Sequence, residues 1–189
     1  MRRQITTVYQ LKIVLLGVRP QIVRRVQVPA DMRLDNLHMV VQVAMGWTNS
    51  HLHSFSFGKR AFTIPFEEGY LEEMEMEDER SVLLSQLLTE PKAQFEYEYD
   101  FGDGWQHVIT LEKILSAVPN TTYPLCLDGK RACPPEDCGG VWGYSDLLKV
   151  LANPAHPDYK EMKSWIGRKF DPELFDLEKV NRSLRRLPV

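Results

Sequence analysis

The stretch Phe95-Glu96-Tyr97-Glu98-Tyr99-Asp100-Phe101-Gly102-Asp103-Gly104-Trp105 limits the fold more than any other part of the chain. Phe95, Tyr97 and Tyr99 alternate with Glu96, Glu98 and Asp100, the period-two pattern of a strand with one face buried. Phe101–Gly104 supplies a tight turn, and Trp105, His107, Ile109 and Leu111 then share one face of the returning strand. A lone hairpin is marginal in water, so its apolar face must be covered by more strands or by helices.

The rest of the chain offers both. Tyr9–Leu16 and Ile22–Val28 flank the turn-like Gly17-Val18-Arg19-Pro20 and read as a second hairpin. Pro29 ends it and Asp31 is placed to cap a helix, in which Leu34, Leu37, His38, Val41 and Met45 recur at helical spacing up to Gly46. His51–Phe57 alternates again, with His51, His53, Phe55 and Phe57 on one face. Ala61–Pro65 follows, and residues 67–79 then carry eight Glu or Asp without the spacing of a calcium loop, so a solvated, mobile loop is expected there. Ser81–Leu88 reads as a short helix, and Pro119–Gly143 as irregular chain. Tyr144–Leu151, Tyr159–Ile166 and Leu177–Leu187 read as helices, the last capped by Asp176. Strands first and helices last define an α+β class. The sheet is expected to be mostly antiparallel and built from hairpins, with one helix after the first hairpin and a helical cluster at the C-terminus. No linker divides the chain, and 189 residues suit one domain spanning 1–189.

Charge and cysteine content narrow the setting. The formal net charge of −3 provides no global positive field of the kind that drives non-specific nucleic-acid binding. No apolar run approaches the ~20 residues of a membrane helix, and the N-terminus lacks the pattern of a signal peptide. Three cysteines make a poor disulfide framework, so a cytoplasmic protein is expected.

Those cysteines carry the most distinctive chemistry. Cys126, Cys133 and Cys138 fall within 13 residues of one another, in a loop too poor in apolar side chains to pack well by itself. Thiolates suit zinc, and three of them need a fourth ligand. His53 and His107 sit on the apolar faces of strands and are the leading candidates, with His51 a third. One structural zinc is the expectation this supports. The spacings are wider than the C-x2-C knuckle of most zinc folds, so three reduced, partly buried cysteines stand as the rival reading, followed by a redox pair or catalytic thiol. Asp137 on one side and Lys130-Arg131 on the other push a nearby thiol in opposite directions.

A second group, His51 and His53 with Asp100, Asp103 and His107, lies at strand ends and turns, where the two hairpins could line a groove. Imidazole and carboxylate together can do acid–base work on a small molecule, although Asp103 between glycines is also ordinary turn chemistry. His38 is expected in the core and His156 at the surface. Arg182, Arg185 and Arg186 at i, i+3, i+4 would form a basic stripe on the last helix; favourable charge near a helix C-terminus explains it without a ligand, and a nucleic-acid surface is the sharper alternative. The leading reading is therefore a binding or regulatory module, with a protein or nucleic-acid partner, beside two rivals: a small-molecule enzyme and a DNA-associated accessory protein.

Several stretches together resemble the plasmid pRiA4b ORF-three-like family. They are Tyr9–Leu15 with Arg19-Pro20 and Arg24-Arg25-Val26, Leu37-His38, Met45-Gly46-Trp47, His51–Phe55, Tyr99–Trp105, Arg131–Gly140, and Phe170–Glu173 with Phe175-Asp176. Cys133-Pro134-Pro135-Glu136-Asp137-Cys138-Gly139-Gly140 is the most specific of them. Val23 departs from the family pattern, which has Trp before the arginine pair. The resemblance implies one domain of uncharacterised function, loosely linked with mobile elements and with a resolvase-like label. No serine or tyrosine nucleophile stands here in the arginine-rich pattern of a recombinase.

Overall fold

The structure is a computed structural model that describes residues 5–65, 69–167 and 170–188. The first hairpin pairs β1 (Thr7–Leu15) with β2 (Val23–Pro29) in antiparallel register, Leu11 facing Val26 and Ile13 facing Arg24. The second pairs β6 (Gln94–Tyr99) with β7 (Trp105–Ser116), Tyr99 facing Trp105 and Tyr97 facing His107. β7 runs five residues beyond its expected end at Leu111 because its second half lies along β1, with a register shift at Gln10/Leu11.

β3 (His53–Phe57) joins the other side of β6, followed by β4 (Arg60–Thr63) and the short β5 (Glu77–Asp78). Adding β8 (Leu125–Lys130) next to β2 completes one sheet with the order β5-β4-β3-β6-β7-β1-β2-β8, antiparallel except at β4–β5. The α+β, mostly antiparallel architecture expected from the sequence is the one observed.

α1 (Leu34–Met45) lays Leu34, Leu37, Val40, Val41 and Ala44, all fully buried, into a core shared with Leu11, Ile13, Tyr97 and Ile109 of the sheet. Burial of this kind, at roughly 25 cal/mol per Å² of apolar surface, is what holds the helix in place. It ends at Gly46 in the left-handed conformation (φ 107°), as expected. Its start is different: Arg33, not Asp31, occupies the cap position and supplies no side-chain cap, and Leu34 N–H donates instead to Val82 O at 3.1 Å. The helix entrance is satisfied by a neighbouring chain segment, which local sequence cannot show.

Further expectations need correction. The acidic run is not uniformly solvated. Residues 67 and 68 lie outside the described residues, but α2 (Tyr70–Glu73), β5 and a 3-10 turn (Glu79–Ser81) follow, and Glu79 is 1% exposed. The helix expected over Ser81–Leu88 is a single turn, α3 (Leu84–Leu87).

The supposedly irregular Pro119–Gly143 segment contains β8, whose Leu127 and Asp128 are exposed, so no alternation marks it. Asp128-Gly129 looks like a turn, yet Gly129 sits inside the strand because the Phe175 ring occupies the space a Cβ would need. The edge of β8 is covered by α6 (Leu177–Leu184): Cys126 N–H donates to Asn181 Oδ1 at 2.8 Å, and Asn181 Nδ2 donates to Cys126 O at 2.9 Å.

α5 (Tyr159–Ile166) has the predicted limits, and Asp176 caps α6 by accepting from Lys179 N–H. α4 (Gly140–Ala152) starts four residues earlier than expected, at a glycine pair. Gly140 has φ 65° and lies against the Asp103 carbonyl, where no side chain fits. That close approach brings the cysteine-rich loop onto the β6–β7 turn.

Candidate metal centre

Three chain segments meet at one end of the sheet. The first is the connection from α1 to β3. Asn49 N–H donates to Gln42 Oε1 (2.9 Å), its Oδ1 lies 2.7 Å from His38 Nε2, and Ser50 N–H donates to the Tyr99 hydroxyl (3.0 Å). These bonds fix the chain just ahead of His51. The second is the β6–β7 turn, where Asp100 adopts φ 57°, a left-handed conformation Asp tolerates better than most residues. Its Oδ1 accepts from Gly102 N–H (3.0 Å) and Asp103 N–H (3.3 Å), which leaves Oδ2 free of hydrogen bonds among the described residues. The third is Pro134–Cys138, with Asp137 also left-handed at φ 54°.

The third segment is tied to the other two. Trp47 Nε1 donates to Pro134 O at 3.2 Å. Glu136 Oε1 accepts from Thr48 N–H (2.8 Å), the Thr48 hydroxyl (3.0 Å) and the Tyr99 hydroxyl (3.1 Å). Asp103 Oδ2 accepts from Gly139 N–H at 3.2 Å. Burial, reinforced by the Glu136 carboxylate, pushes the Tyr99 phenol up to about 12, so it stays a protonated donor even in alkaline solution.

The result is a convergence of ligand atoms. His51 Nε2 lies 3.3 Å from Asp137 Oδ1, 3.7 Å from an Asp100 oxygen and 4.0 Å from Glu136 Oε2. The ligand atoms of His51, Asp100 and Asp137 all fall within 4.8 Å of one another. His51 Nε2 and Glu136 Oε2 are both shielded from solvent, and neither makes a hydrogen bond. Even the 3.3 Å approach to Asp137 is not aligned as one. The three ligand atoms lie close together without hydrogen-bonding one another. The Asp100 side chain is 9% exposed and that of Asp137 72%, so the cluster has a buried wall and an open side.

The residues singled out in the sequence divide accordingly. His51 and Asp100 belong to this cluster, and Asp103 braces it through Gly139. The three thiols do not converge with His53 or His107: among the described residues no other group of three or more His, Cys, Asp or Glu ligand atoms is this close. Cys126 is buried on β8 with its thiol 3.5 Å from Asp128 O. Burial raises the thiol of Cys126, raises that of Cys133 well above its ordinary value, and pushes that of Cys138 up to about 12. His53 Nε2 is 2.8 Å from buried Glu79 Oε2, and its ring stacks on His38 at 3.5 Å. His107 is fully buried, Nδ1 3.1 Å from Tyr97 O and Nε2 unpaired, and burial pushes it down to about 4. α6 ends at Leu184 with Arg185 as its cap, still in helical conformation and bonded to Asn181 O, and Arg182 lies 3.6 Å from Glu178.

The sequence reading passed over Glu136 as a neighbour of this cluster and weighed Asp137 only for its effect on nearby thiols. Their signal was present: two adjacent carboxylates follow two prolines, in the segment that carries the family resemblance most specifically.

Fold and site together define a class: an eight-stranded α+β protein with a His-carboxylate cluster where three loops meet. Within that class the chain belongs to the family described as Plasmid pRiA4b ORF-3-like protein, whose model matches residues 7–179. It is similar to the uncharacterised protein y4hQ of Sinorhizobium fredii, 40% identical over 181 residues that cover 95% of this chain and 92% of that protein. It is also similar to the crystal structure of a protein of unknown function, MM3350 from Methanosarcina mazei Go1. There the TM-score is 0.84 at 37% identity, over 93% of this chain and 98% of the other. Among the described residues, no helix is long and apolar enough to cross a membrane.

Proposed function

We propose that this chain is a metal-binding module that holds one divalent transition-metal ion through His51 Nε2, Asp100 Oδ2 and Asp137 Oδ1. The observation that carries the reading is the convergence of three ligand atoms, drawn from three separate loops, around an imidazole nitrogen that is buried and unpaired. Ligands about 2.0–2.2 Å from a common ion lie roughly 3.0–3.5 Å apart, and small side-chain adjustments bring the present spacings into that range. Imidazole with carboxylates suits zinc, iron or manganese better than calcium or magnesium, which prefer all-oxygen sites. The ion would bolt the cysteine-rich loop to β3 and to the β6–β7 turn, and it would neutralise carboxylates now facing one another. With three protein ligands and an exposed side, coordination positions remain for water or a ligand.

A second reading places zinc on the thiols. The unpaired, fully buried Nε2 of His107 favours it, since a buried imidazole nitrogen needs a partner. Two variants separate the readings. If the ion sits on the carboxylate cluster, calorimetric titration of zinc or manganese detects one site that His51→Ala abolishes and Cys133→Ser leaves intact. The opposite pattern would move the ion to the thiols.

A further inference from the structure

Glu136 lies beside the three ligands, with one oxygen 4.0 Å from His51 Nε2. One of its oxygens is saturated by three donors, from Thr48 N–H, the Thr48 hydroxyl and Tyr99. The other, Oε2, is buried, unpaired and 4.0 Å from His51 Nε2, yet it falls outside the group formed by His51, Asp100 and Asp137. A carboxylate pinned by one oxygen, with the other held free at the edge of a three-ligand centre, is placed to receive a proton rather than to complete the coordination.

From this placement, and resting on the metal-binding reading above, we infer that the centre hydrolyses neutral acyl compounds, esters or amides, with Glu136 as the general base. The bound ion supplies polarisation of the attacking water and of the substrate carbonyl. Glu136 Oε2 takes the proton as the O–H bond of water breaks, and the water oxygen forms the new bond to the acyl carbon. The C–O or C–N bond to the leaving group then breaks, and the proton held on Glu136 passes to that leaving group. The products are a carboxylic acid and an alcohol or amine, with no change of oxidation state.

Charge and surroundings select the substrate class. Asp100, Asp137 and Glu136 together outweigh one divalent ion, so the site stays net negative and repels phosphate esters. An uncharged acyl substrate meets no such repulsion. Exposed apolar side chains accompany the ligands along the chain: Leu52 follows His51, Phe101 follows Asp100, and Trp142, 84% exposed, lies in the first turn of α4.

The test uses the full chain loaded with zinc, with metal content measured on every sample. The probes are p-nitrophenyl acetate, N-acetylleucine p-nitroanilide and bis(p-nitrophenyl) phosphate. Wild type is expected to turn over an acyl probe in a chelator-sensitive way and to leave the phosphate diester nearly untouched. Glu136→Gln, which preserves shape and the contacts to Oε1, is expected to keep its ion and lose about 100-fold or more of the turnover. A wild type that holds the ion but hydrolyses neither acyl probe would overturn this inference and leave the metal-binding reading standing. Loss of the ion from Glu136→Gln would make Glu136 a ligand and overturn its role as base. Faster cleavage of the phosphate diester would overturn the substrate class. A wild type that binds no ion would overturn both readings at once.

Discussion

Two clusters of imidazole and carboxylate lie one beside Tyr97 and the other beside Tyr99, and they are built to opposite ends. In the inner one, His53 Nε2 meets Glu79 Oε2 at 2.8 Å, and the His53 ring stacks on His38. Both His38 nitrogens are engaged, one with the Tyr97 hydroxyl at 2.9 Å and one with Asn49 Oδ1 at 2.7 Å. In the outer one, His51 Nε2 and Glu136 Oε2 are buried 4.0 Å apart and neither makes a hydrogen bond. The inner cluster satisfies its polar groups internally, as a buried network must. The outer one leaves these two buried atoms without hydrogen-bond partners. Residue type alone does not separate the two; pairing does.

The sharpest way to break the contrast is to unpair the inner cluster. Glu79→Ala leaves His53 buried without its partner, and a loss of about 3–5 kcal/mol is expected in urea unfolding. A loss below 1 kcal/mol would mean the pair contributes little and the distinction is weaker than drawn.

Acid should act on the inner cluster next. Burial, reinforced by His53, pushes His38 down to about 3 from an ordinary 6.5. The unfolded chain therefore takes up a proton that the folded chain refuses. The stability from a neutral His38 is fully present above pH 6.5 and is lost as pH falls toward 3. By pH 4 the loss should be about 3 kcal/mol. Burial pushes fully buried His107 down to about 4, so it adds in the same direction. Urea titrations at pH 7 and pH 4, repeated on His38→Gln, check this, since the variant should show a shallower fall.

The outer cluster should respond in binding rather than in folding. Asp137→Asn is expected to weaken zinc affinity by about 100-fold, or ~2.7 kcal/mol, while metal-free stability stays within about 0.5 kcal/mol. Calorimetry and thermal melts on the same samples separate the two effects. Smaller again is Tyr99→Phe, which removes the donor to Glu136 and the acceptor for Ser50. It should cost about 1 kcal/mol of stability and roughly 10-fold in metal affinity.

The strands that carry these clusters were legible in the sequence because each has one buried face and one wet face. Tyr97 and Tyr99 against Glu96 and Glu98 is such a pattern, and so is the helical spacing of α1. β8 was hidden because it is an edge strand whose apolar cover comes from α6, more than fifty residues away. Glu79 was hidden inside an acidic run, where nothing local distinguishes the one carboxylate that turns inward.

For the candidate site, His51, Asp100 and Asp103 could be picked out because strand ends and tight turns expose side chains at predictable places. Glu136 and Asp137 join them only through tertiary contacts, among them Trp47 to Pro134 and Asp103 to Gly139. The cysteines drew attention through their density. Density in sequence did not become convergence in space, because Cys126 is fixed on β8 while Cys133 and Cys138 lie in the loop that follows.

The most direct test of the central claim is zinc stoichiometry in wild type, His51→Ala and Cys133→Ser, purified without a chelating tag and dialysed against buffered zinc. The expected result is one ion per chain in wild type and in Cys133→Ser, and none in His51→Ala. An ion retained by His51→Ala and lost from Cys133→Ser would contradict the account and place the metal on the thiols.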